Sequence, residues 1–167
     1  MRRVVCAALV VALTGCTTPE AEPDQAEAST PLAAPSTPTP SSEEEAVDAY
    51  LGMMGAVVEA SLEGTEDHPD LKVYARGQAL ELTTAMLDGA KAMGEPVLRP
   101  EVTDVDLESD PASIVVEDCM DDTAWVLEGH PFPDSSHVNT RLYTATVTLV
   151  EEEWKVEELW LGEPNAC

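Results

Sequence analysis

The sequence predicts an α+β fold, in which two helices come first along the chain and pack on one face of an antiparallel sheet. Between residues 42 and 94, apolar side chains recur at the three- and four-residue spacing of amphipathic helices. From Pro96 onward the chain changes to runs rich in Val, Thr, Tyr and Trp, which favour strands. Helices and strands in separate blocks of the chain are typical of the α+β class.

Residues 1–15 are predicted to be a signal peptide that is removed. Arg2 and Arg3 precede an apolar run, residues 4–13, which is too short for a membrane span of about 20 residues. The run ends in Leu13-Thr14-Gly15-Cys16, which resembles the bacterial lipobox. This resemblance implies that Cys16 is diacylated and becomes the first residue after cleavage. Because two acyl chains anchor a protein stably, we expect a lipid bilayer as partner and the extracytoplasmic face of the cell membrane as location.

Residues 16–42 are predicted to be the lipidated Cys16 followed by a disordered tether. Its prolines lie among Ala, Thr, Ser and Glu, and it has hardly any large apolar side chain to bury in a core. Prolines also favour the extended polyproline II conformation, which gives the tether reach. Residues 43–167 are then predicted to form one domain, which is long enough for a single core.

The charge of the chain excludes nucleic acid as a partner. There are 33 acidic residues and 8 basic ones, and removal of Arg2 and Arg3 leaves a net charge of −27. Such a surface repels phosphate backbones, which proteins bind through Lys and Arg. Anionic lipid headgroups repel it too, so we expect the domain to stand away from the membrane.

The cysteines predict one disulfide bond. Cys6 leaves with the signal peptide and Cys16 carries lipid, so Cys119 and Cys167 remain. Outside the cytoplasm two remaining thiols favour a bridge, and closing a loop of this length stabilises a domain by roughly 4 kcal/mol in the chain-entropy model. The alternative, a redox-active pair, lacks the Cys-X-X-Cys spacing that lowers the pKa of a thiol.

The first of the two predicted helices begins with the capping-box pattern of Ser42 and Glu45 and ends near Gly64. The second begins near Pro69 and ends near Gly94. The apolar face of the first helix is predicted to hold Val47, Tyr50, Leu51, Met54, Val58 and Leu62. The face of the second is predicted to hold Leu71, Tyr74, Ala75, Gln78, Leu82 and Met86.

Strands are predicted at residues 97–107, 113–119, 123–127, 139–150 and 154–161. The run 139–150 alternates most clearly, with one face holding Leu142, Thr144, Thr146 and Thr148 and the other holding Tyr143, Ala145, Val147 and Leu149. Residues 151–153, all Glu, are predicted to form the turn into the last strand.

Several short motifs stand out along the domain: Tyr74-Ala75-Arg76-Gly77-Gln78-Ala79-Leu80, Gly94-Glu95-Pro96-Val97, Pro100-Glu101-Val102-Thr103, Asp118-Cys119-Met120-Asp121, Trp154-Lys155-Val156 and Cys167. Together they resemble the actinobacterial secreted lipoproteins that carry a nuclear transport factor 2-like (NTF2-like) domain, and the match spans residues 46–167. The resemblance implies a cone-shaped sheet curled around a pocket, helices that close its open side, and a bridge from Cys119 to Cys167. One departure is the turn before Trp154, where the family tends to have a glycine.

Any chemistry would lie in the pocket that the resemblance implies. The polar groups expected to approach it are Tyr50, Tyr74, Asp118 and Tyr143. A carboxylate in an apolar cavity would have its pKa raised toward that of a general base. In the alternative interpretation, the tyrosines are core residues whose hydroxyls are hydrogen-bonded.

No metal ion and no cofactor is expected. The alternating carboxylates of residues 104–110 lack the glycine and glutamate of a calcium loop, since Ser109 and Ile114 stand there. The histidines lack zinc-ligand spacing. Residues 134–137 contain the residue types of a catalytic triad, but they sit in one loop, which is interpreted as exposed and able to contact a partner. Acidic residues around Cys119 are interpreted as solvated, with a divalent ion as the alternative: Glu117, Asp118, Asp121 and Asp122.

The sequence thus predicts a non-catalytic binding or interaction module at the cell envelope, held there by Cys16 and partnered by a small apolar ligand or an envelope protein. NTF2-like domains often pair through the open sheet face, so a homodimer is a further expectation. The fold class also includes isomerases and dehydratases, so an enzyme of that type is the alternative. A cavity with only apolar and hydroxyl groups favours binding, whereas an acid with a strongly raised pKa favours catalysis.

Overall fold

The computed structural model describes residues 40–128 and 139–167. The predictions for the signal peptide, Cys16, most of the tether and the loop 130–137 lie outside these residues. The elements in chain order are α1 Ser42–Glu63, α2 Leu71–Tyr74, α3 Gly77–Leu87, β1 Ala92–Met93, β2 Pro100–Asp106, β3 Ser113–Asp121, β4 Val126–Leu127, β5 Thr140–Val150 and β6 Glu153–Pro164.

A capping box begins α1, one residue earlier than predicted. Ser41 Oγ accepts a hydrogen bond from the Glu44 backbone N at 3.2 Å, and the Ser41 backbone N donates to Glu44 Oε2 at 2.8 Å. The helix ends where predicted, at Gly64, whose φ of 69° places it in the left-handed region that favours glycine.

The single helix predicted from Pro69 to Gly94 is wrong, because the chain breaks it at Ala75. Ala75 is extended and forms a parallel bridge with Val156, and the Arg76 backbone N donates to the Val156 carbonyl oxygen at 2.9 Å. The Gln78 side chain then bonds both the N–H and the carbonyl of Leu159. β6 lies at an edge of the sheet, and these contacts satisfy backbone groups that the edge would leave unpaired.

The main sheet has the strand order β2-β3-β5-β6, and every neighbouring pair is antiparallel. Alternate β3 residues face the core, namely Ile114, Val116, Asp118 and Met120, and all four are buried. Residues of α1 and α3 pack against this face in one core cluster with β5 and β6. The predicted α+β class, with helices on one face of an antiparallel sheet, is therefore confirmed.

β4 is shorter than the strand predicted at residues 123–127 and does not join the main sheet. It pairs with β1 instead, Ala92 opposite Leu127 and Met93 opposite Val126. Residues 122–125 form a tight turn before it, in which the Trp125 backbone N donates to the Asp122 carbonyl oxygen at 2.9 Å.

The predicted disulfide between Cys119 and Cys167 is confirmed, with the two Cα atoms 5.9 Å apart. Because side chains alternate along a strand, Cys119 points away from the core face that holds Asp118 and Met120. The bridge therefore ties the end of the chain to the outer face of the sheet. Among residues 40–128 and 139–167, no helix has both the length and the apolar character that a membrane crossing needs.

Candidate functional site

A cavity of about 350 Å³ lies between α1, the end of α3 and the sheet. Its volume is at the lower end of the range of small-molecule sites, roughly 300–1,000 Å³. The lining residues are Val57 and Ser61 of α1, Met86 and Leu87 of α3, Ala90, Asp122, Trp125, Arg141 and Tyr143 of β5, and Leu161 of β6.

Most of the cavity wall is apolar, and its one aromatic indole is held in place by a hydrogen bond. Trp125 Nε1 donates to Ser61 Oγ at 3.0 Å, and Ser61 Oγ in turn donates to the Val58 carbonyl oxygen at 2.7 Å. The indole N–H is thus already satisfied by the protein. Trp125 therefore offers a bound molecule an apolar ring rather than a donor.

Strand register brings three polar side chains to one end of the cavity. Arg141 lies opposite Met120, and Tyr143 lies opposite Asp118, so Arg141 and Tyr143 share the core face of β5. Asp122 follows Met120 by two residues, and its backbone N donates to the Asn139 carbonyl oxygen at 3.0 Å. Asp122 and Arg141 are therefore diagonal neighbours on one face of adjacent strands.

Asp122 and Arg141 each keep a buried polar atom without a partner. Asp122 Oδ1 and Arg141 Nε are shut off from solvent and have no hydrogen-bond partner within the described part of the chain. Burial raises the pKa of Asp122, and the charge of Arg141 opposes that rise. The two side chains are not among the ion pairs that join described residues.

The Tyr143 hydroxyl completes this polar end. Its pKa is raised to about 12, mainly by burial; the charge of Arg141 opposes the rise, and the charges of Asp122 and Asp118 add to it. Tyr143 is consequently a neutral hydroxyl at physiological pH, able to donate or accept a hydrogen bond.

A second polar cluster lies in the core and is satisfied internally. Asp118 is fully buried and accepts hydrogen bonds from Tyr50 Oη at 3.0 Å and from the Arg99 backbone N at 2.8 Å. Burial raises the pKa of Asp118, and the two hydrogen bonds oppose that rise. Burial and then the charge of Asp118 raise the pKa of Tyr50 well above its usual range. The hydrogen bond between Tyr50 and Asp118 thus connects α1 to β3.

Of the four predicted pocket residues, one lines the cavity, two lie beside it in the core, and one lies elsewhere. Tyr143 lines the cavity, with Asp118 opposite it in the sheet and Tyr50 bonded to Asp118. Tyr74 lies elsewhere, in a shallow depression beside Val73 and Trp154. Its ring packs so closely on α1 that a Cβ at Gly52 would lie 2.6 Å from Tyr74 Cε1.

Sequence reasoning did not single out Arg141 and Trp125, and it placed Asp122 only among the acidic residues around Cys119. Arg141 had a usable signal, because extending the alternation of Tyr143, Ala145 and Val147 back by two residues reaches it. Asp122 had none, since its place at the cavity depends on the register between β3 and β5. Within residues 40–128 and 139–167, no group of three or more His, Cys, Asp or Glu side chains could hold a metal ion.

The likeness of this chain to known proteins is distant and is found among solved structures. Neither a protein-family model nor a curated protein matches the chain. Among solved structures, the intermembrane space region of the chloroplast protein ARC6 is similar over 74% of this chain and 98% of that one. The identity is 14% and the TM-score is 0.41.

Proposed function

We propose that this protein is a membrane-anchored extracytoplasmic lipoprotein whose folded domain binds a small, largely apolar molecule without transforming it. The observation that carries the proposal is the cavity of about 350 Å³, with an apolar wall and a few polar groups at one end. This composition is typical of sites that bury a small molecule and orient it through a small number of polar contacts.

We also propose that the domain is an NTF2-like cone. Support comes from the antiparallel sheet with helices on one face and from the cavity between them. The motif of residues 74–80 supports it as well, because this segment covers the edge of β6 through Arg76 and Gln78. The anchor rests on the lipobox at Cys16, and the acidic surface and proline-rich tether fit a domain held away from the bilayer.

Native mass spectrometry tests the binding proposal. The protein is purified from the membranes of its own host after release of the anchor, and we expect a reproducible small-molecule adduct. Ala90→Phe places a ring in the cavity and should abolish the adduct, whereas Ala85→Phe, at an exposed site on α3, should keep it. A bare mass for the wild-type protein, or an adduct that Ala90→Phe leaves intact, would contradict the proposal.

Substitution of Cys16 tests the anchor. Cys16→Ala should leave the protein unprocessed and without lipid, because the acceptor sulfur is missing. The intact mass of the membrane-derived wild type should exceed that of residues 16–167 by the acyl groups. A wild-type mass without acyl groups would refute lipidation at Cys16.

Asp122 favours a second candidate, an enzyme of the isomerase or dehydratase type. It is a carboxylate with a raised pKa in the wall of an otherwise largely apolar cavity, which is a setting for a general base. If the domain abstracts a proton, the recovered ligand should take up deuterium from D₂O with the wild type and not with Asp122→Asn. Absence of exchange with the wild type favours binding alone.

A further inference from the structure

We propose that Asp122 and Arg141 form the head-group site of the cavity and that they select a neutral group able to donate and accept hydrogen bonds, such as a primary carboxamide. This inference rests on the proposed binding function and adds the chemistry of the ligand's polar end.

Asp122 and Arg141 each have one buried polar atom without a hydrogen-bond partner in the described part of the chain. Asp122 Oδ1 is an acceptor and Arg141 Nε is a donor. Buried polar groups in folded proteins are nearly always hydrogen-bonded, because an unpaired one retains the full penalty of its desolvation. One acceptor and one donor at the same end of the cavity therefore call for a group that supplies both functions.

Asp122 and Arg141 form no ion pair with each other, although they lie on the same face of the sheet. The register places them as diagonal neighbours across β3 and β5, a position at which two residues are typically about 7–8 Å apart and their Cβ atoms somewhat less. Arg141 is near enough to lower the pKa of Asp122, yet the pair is not among the ion pairs of the described residues. A head group seated between them would contact both.

The opposite charges of Asp122 and Arg141 discriminate between charged and neutral head groups. A carboxylate ligand would be attracted by Arg141 and repelled by Asp122, and an ammonium ligand would meet the reverse arrangement. A neutral amide avoids either repulsion, since its N–H groups face the carboxylate and its oxygen faces the guanidinium. Of the other polar groups near the cavity, the Trp125 N–H is bonded to Ser61, Asp118 is bonded to Tyr50, and the Asn139 side chain is hydrogen-bonded to Asp122. The Tyr143 hydroxyl is neutral and can donate or accept, so it adds no charge to this balance.

Four probes that share one naphthalene ring test the inference on the full-length protein: 2-naphthamide, 2-methylnaphthalene, 2-naphthoate and 2-naphthylmethylammonium. Binding is followed by the intrinsic fluorescence of the ring. We expect 2-naphthamide to bind about tenfold more tightly than 2-methylnaphthalene and than either ion, because a site built for hydrogen bonding discriminates strongly against analogues that leave its groups unpaired.

Substitutions of Asp122 and Arg141 test whether these two residues cause the preference for the amide probe. Asp122→Leu and Arg141→Met should each reduce the amide preference to about threefold or less, since one half of the donor and acceptor set is lost. Asp104→Leu makes the same chemical change on the exposed part of β2 and should leave the preference intact. Asp122→Asn, the conservative change, serves if Asp122→Leu fails to fold, and it should weaken the amide while leaving 2-methylnaphthalene unchanged.

The outcomes separate this inference from the binding proposal. If all four probes bind within threefold of one another, the head-group inference is overturned while an apolar binding cavity stands. If 2-naphthoate or the ammonium probe binds most tightly, one charge alone selects the ligand and the inference is likewise overturned. If none of the probes binds, the proposed binding function fails, and the inference fails with it.

Discussion

The side chain of Asp118 connects three parts of the domain at the scale of a single residue. It belongs to β3, accepts from Tyr50 of α1, and accepts from the backbone of Arg99, next to β2. Its burial is complete, so the ionised form is held in an environment that disfavours charge. The hydrogen bonds offset only part of this, because the net shift of the pKa is upward.

We therefore predict that the free energy of unfolding rises as the pH falls from neutral. For an acid whose pKa is raised on folding, the stability contribution is full below the unfolded pKa, about 3.9 for aspartate, and is lost as the pH rises through the folded pKa. The pKa of Asp122 is also raised, so its contribution to stability changes with pH in the same direction. Asp118→Asn keeps an oxygen that accepts from the Arg99 N–H, turns an amide NH₂ group toward the Tyr50 hydroxyl, which can accept from it, and removes the titration. Urea unfolding at several pH values should therefore show a shallower pH dependence.

The comparison with Asp118→Asn isolates the residue from the general effect of the acidic surface. Relief of negative charge on acidification acts equally on both proteins, so only the difference between their pH profiles reports Asp118. Parallel profiles would show that this carboxylate titrates alike in the folded and unfolded states.

The turn between β5 and β6 stores backbone strain at two glutamates. Val150 pairs with Glu153, which leaves a two-residue loop, and φ is 52° at Glu151 and 71° at Glu152. A two-residue hairpin loop with both φ values positive is of the kind that favours Asn or Gly.

Glu152→Gly should stabilise the protein by about 1 kcal/mol, since a side chain in the left-handed region costs roughly that much. Thermal and urea unfolding would measure the gain. Glu152→Ala is the matched control, because it removes the charge and keeps the Cβ. A gain in Glu152→Ala as large as in Glu152→Gly would assign the effect to repulsion among the three glutamates instead.

At the scale of the elements, α1 approaches its neighbours closely on one side and faces open space on another. A Cβ at Gly52 would overlap the ring of Tyr74, whereas a Cβ at Gly55 would meet nothing within 4 Å. Both glycines lie within the same helix. They form a natural pair in which the helix propensity changes equally and only the packing differs.

Gly55→Ala should stabilise the protein by about 0.5–1 kcal/mol, because alanine is the better helix former. Gly52→Ala should destabilise it, because Tyr74 must move from its place between α1 and β6. Urea unfolding of the two variants gives the signs directly. Stabilisation by both changes would mean that the ring of Tyr74 moves aside without loss.

The sequence predicted the bounds of α1 to within one residue, but it missed the break between α2 and α3 and predicted only part of the buried face of α1. Of the apolar residues assigned to the inner face of α1, Tyr50 and Met54 are fully buried. The other buried residues of the helix are Met53, Val57, Ser61 and four alanines, Ala46, Ala49, Ala56 and Ala60. Small side chains let the helix lie close to the sheet, and a pattern that counts only large apolar residues does not detect them. The strand alternation placed Tyr143, Ala145 and Val147 on one face, and all three are buried. It fails at the end of β5, where Leu149 of that face is exposed and Thr148 of the other face is buried.

Features that depend on distant parts of the chain were beyond the sequence. The helical pattern of residues 69–94 continues through Ala75. The backbone there nevertheless pairs with Val156 at the edge of β6, some eighty residues later in the chain. The polar end of the cavity needs the register between β3 and β5. Local sequence preferences limit the conformations that a segment can adopt, and contacts with a partner strand select among them.

At the scale of the whole molecule, the cavity and the disulfide lie on opposite faces of the sheet. Asp118 and Met120 face the core beside the cavity, and Cys119 between them faces outward to Cys167. The bridge closes a loop across 48 residues that includes β5 and β6. It should therefore affect the stability of the domain while leaving the binding site unchanged.

Replacing both cysteines, in Cys119→Ala with Cys167→Ala, should lower the free energy of unfolding by up to about 4 kcal/mol, because the unfolded chain regains the freedom that the loop removed. Urea unfolding measures the loss, and reduction of the wild-type protein should reproduce it while leaving the double variant unaffected. Under folding conditions the double variant should bind the same adduct as the wild type. Equal stability of the oxidised wild type and the variant would show that the bridge does not restrict the unfolded chain, and loss of the adduct from a folded variant would show that the two faces of the sheet are coupled.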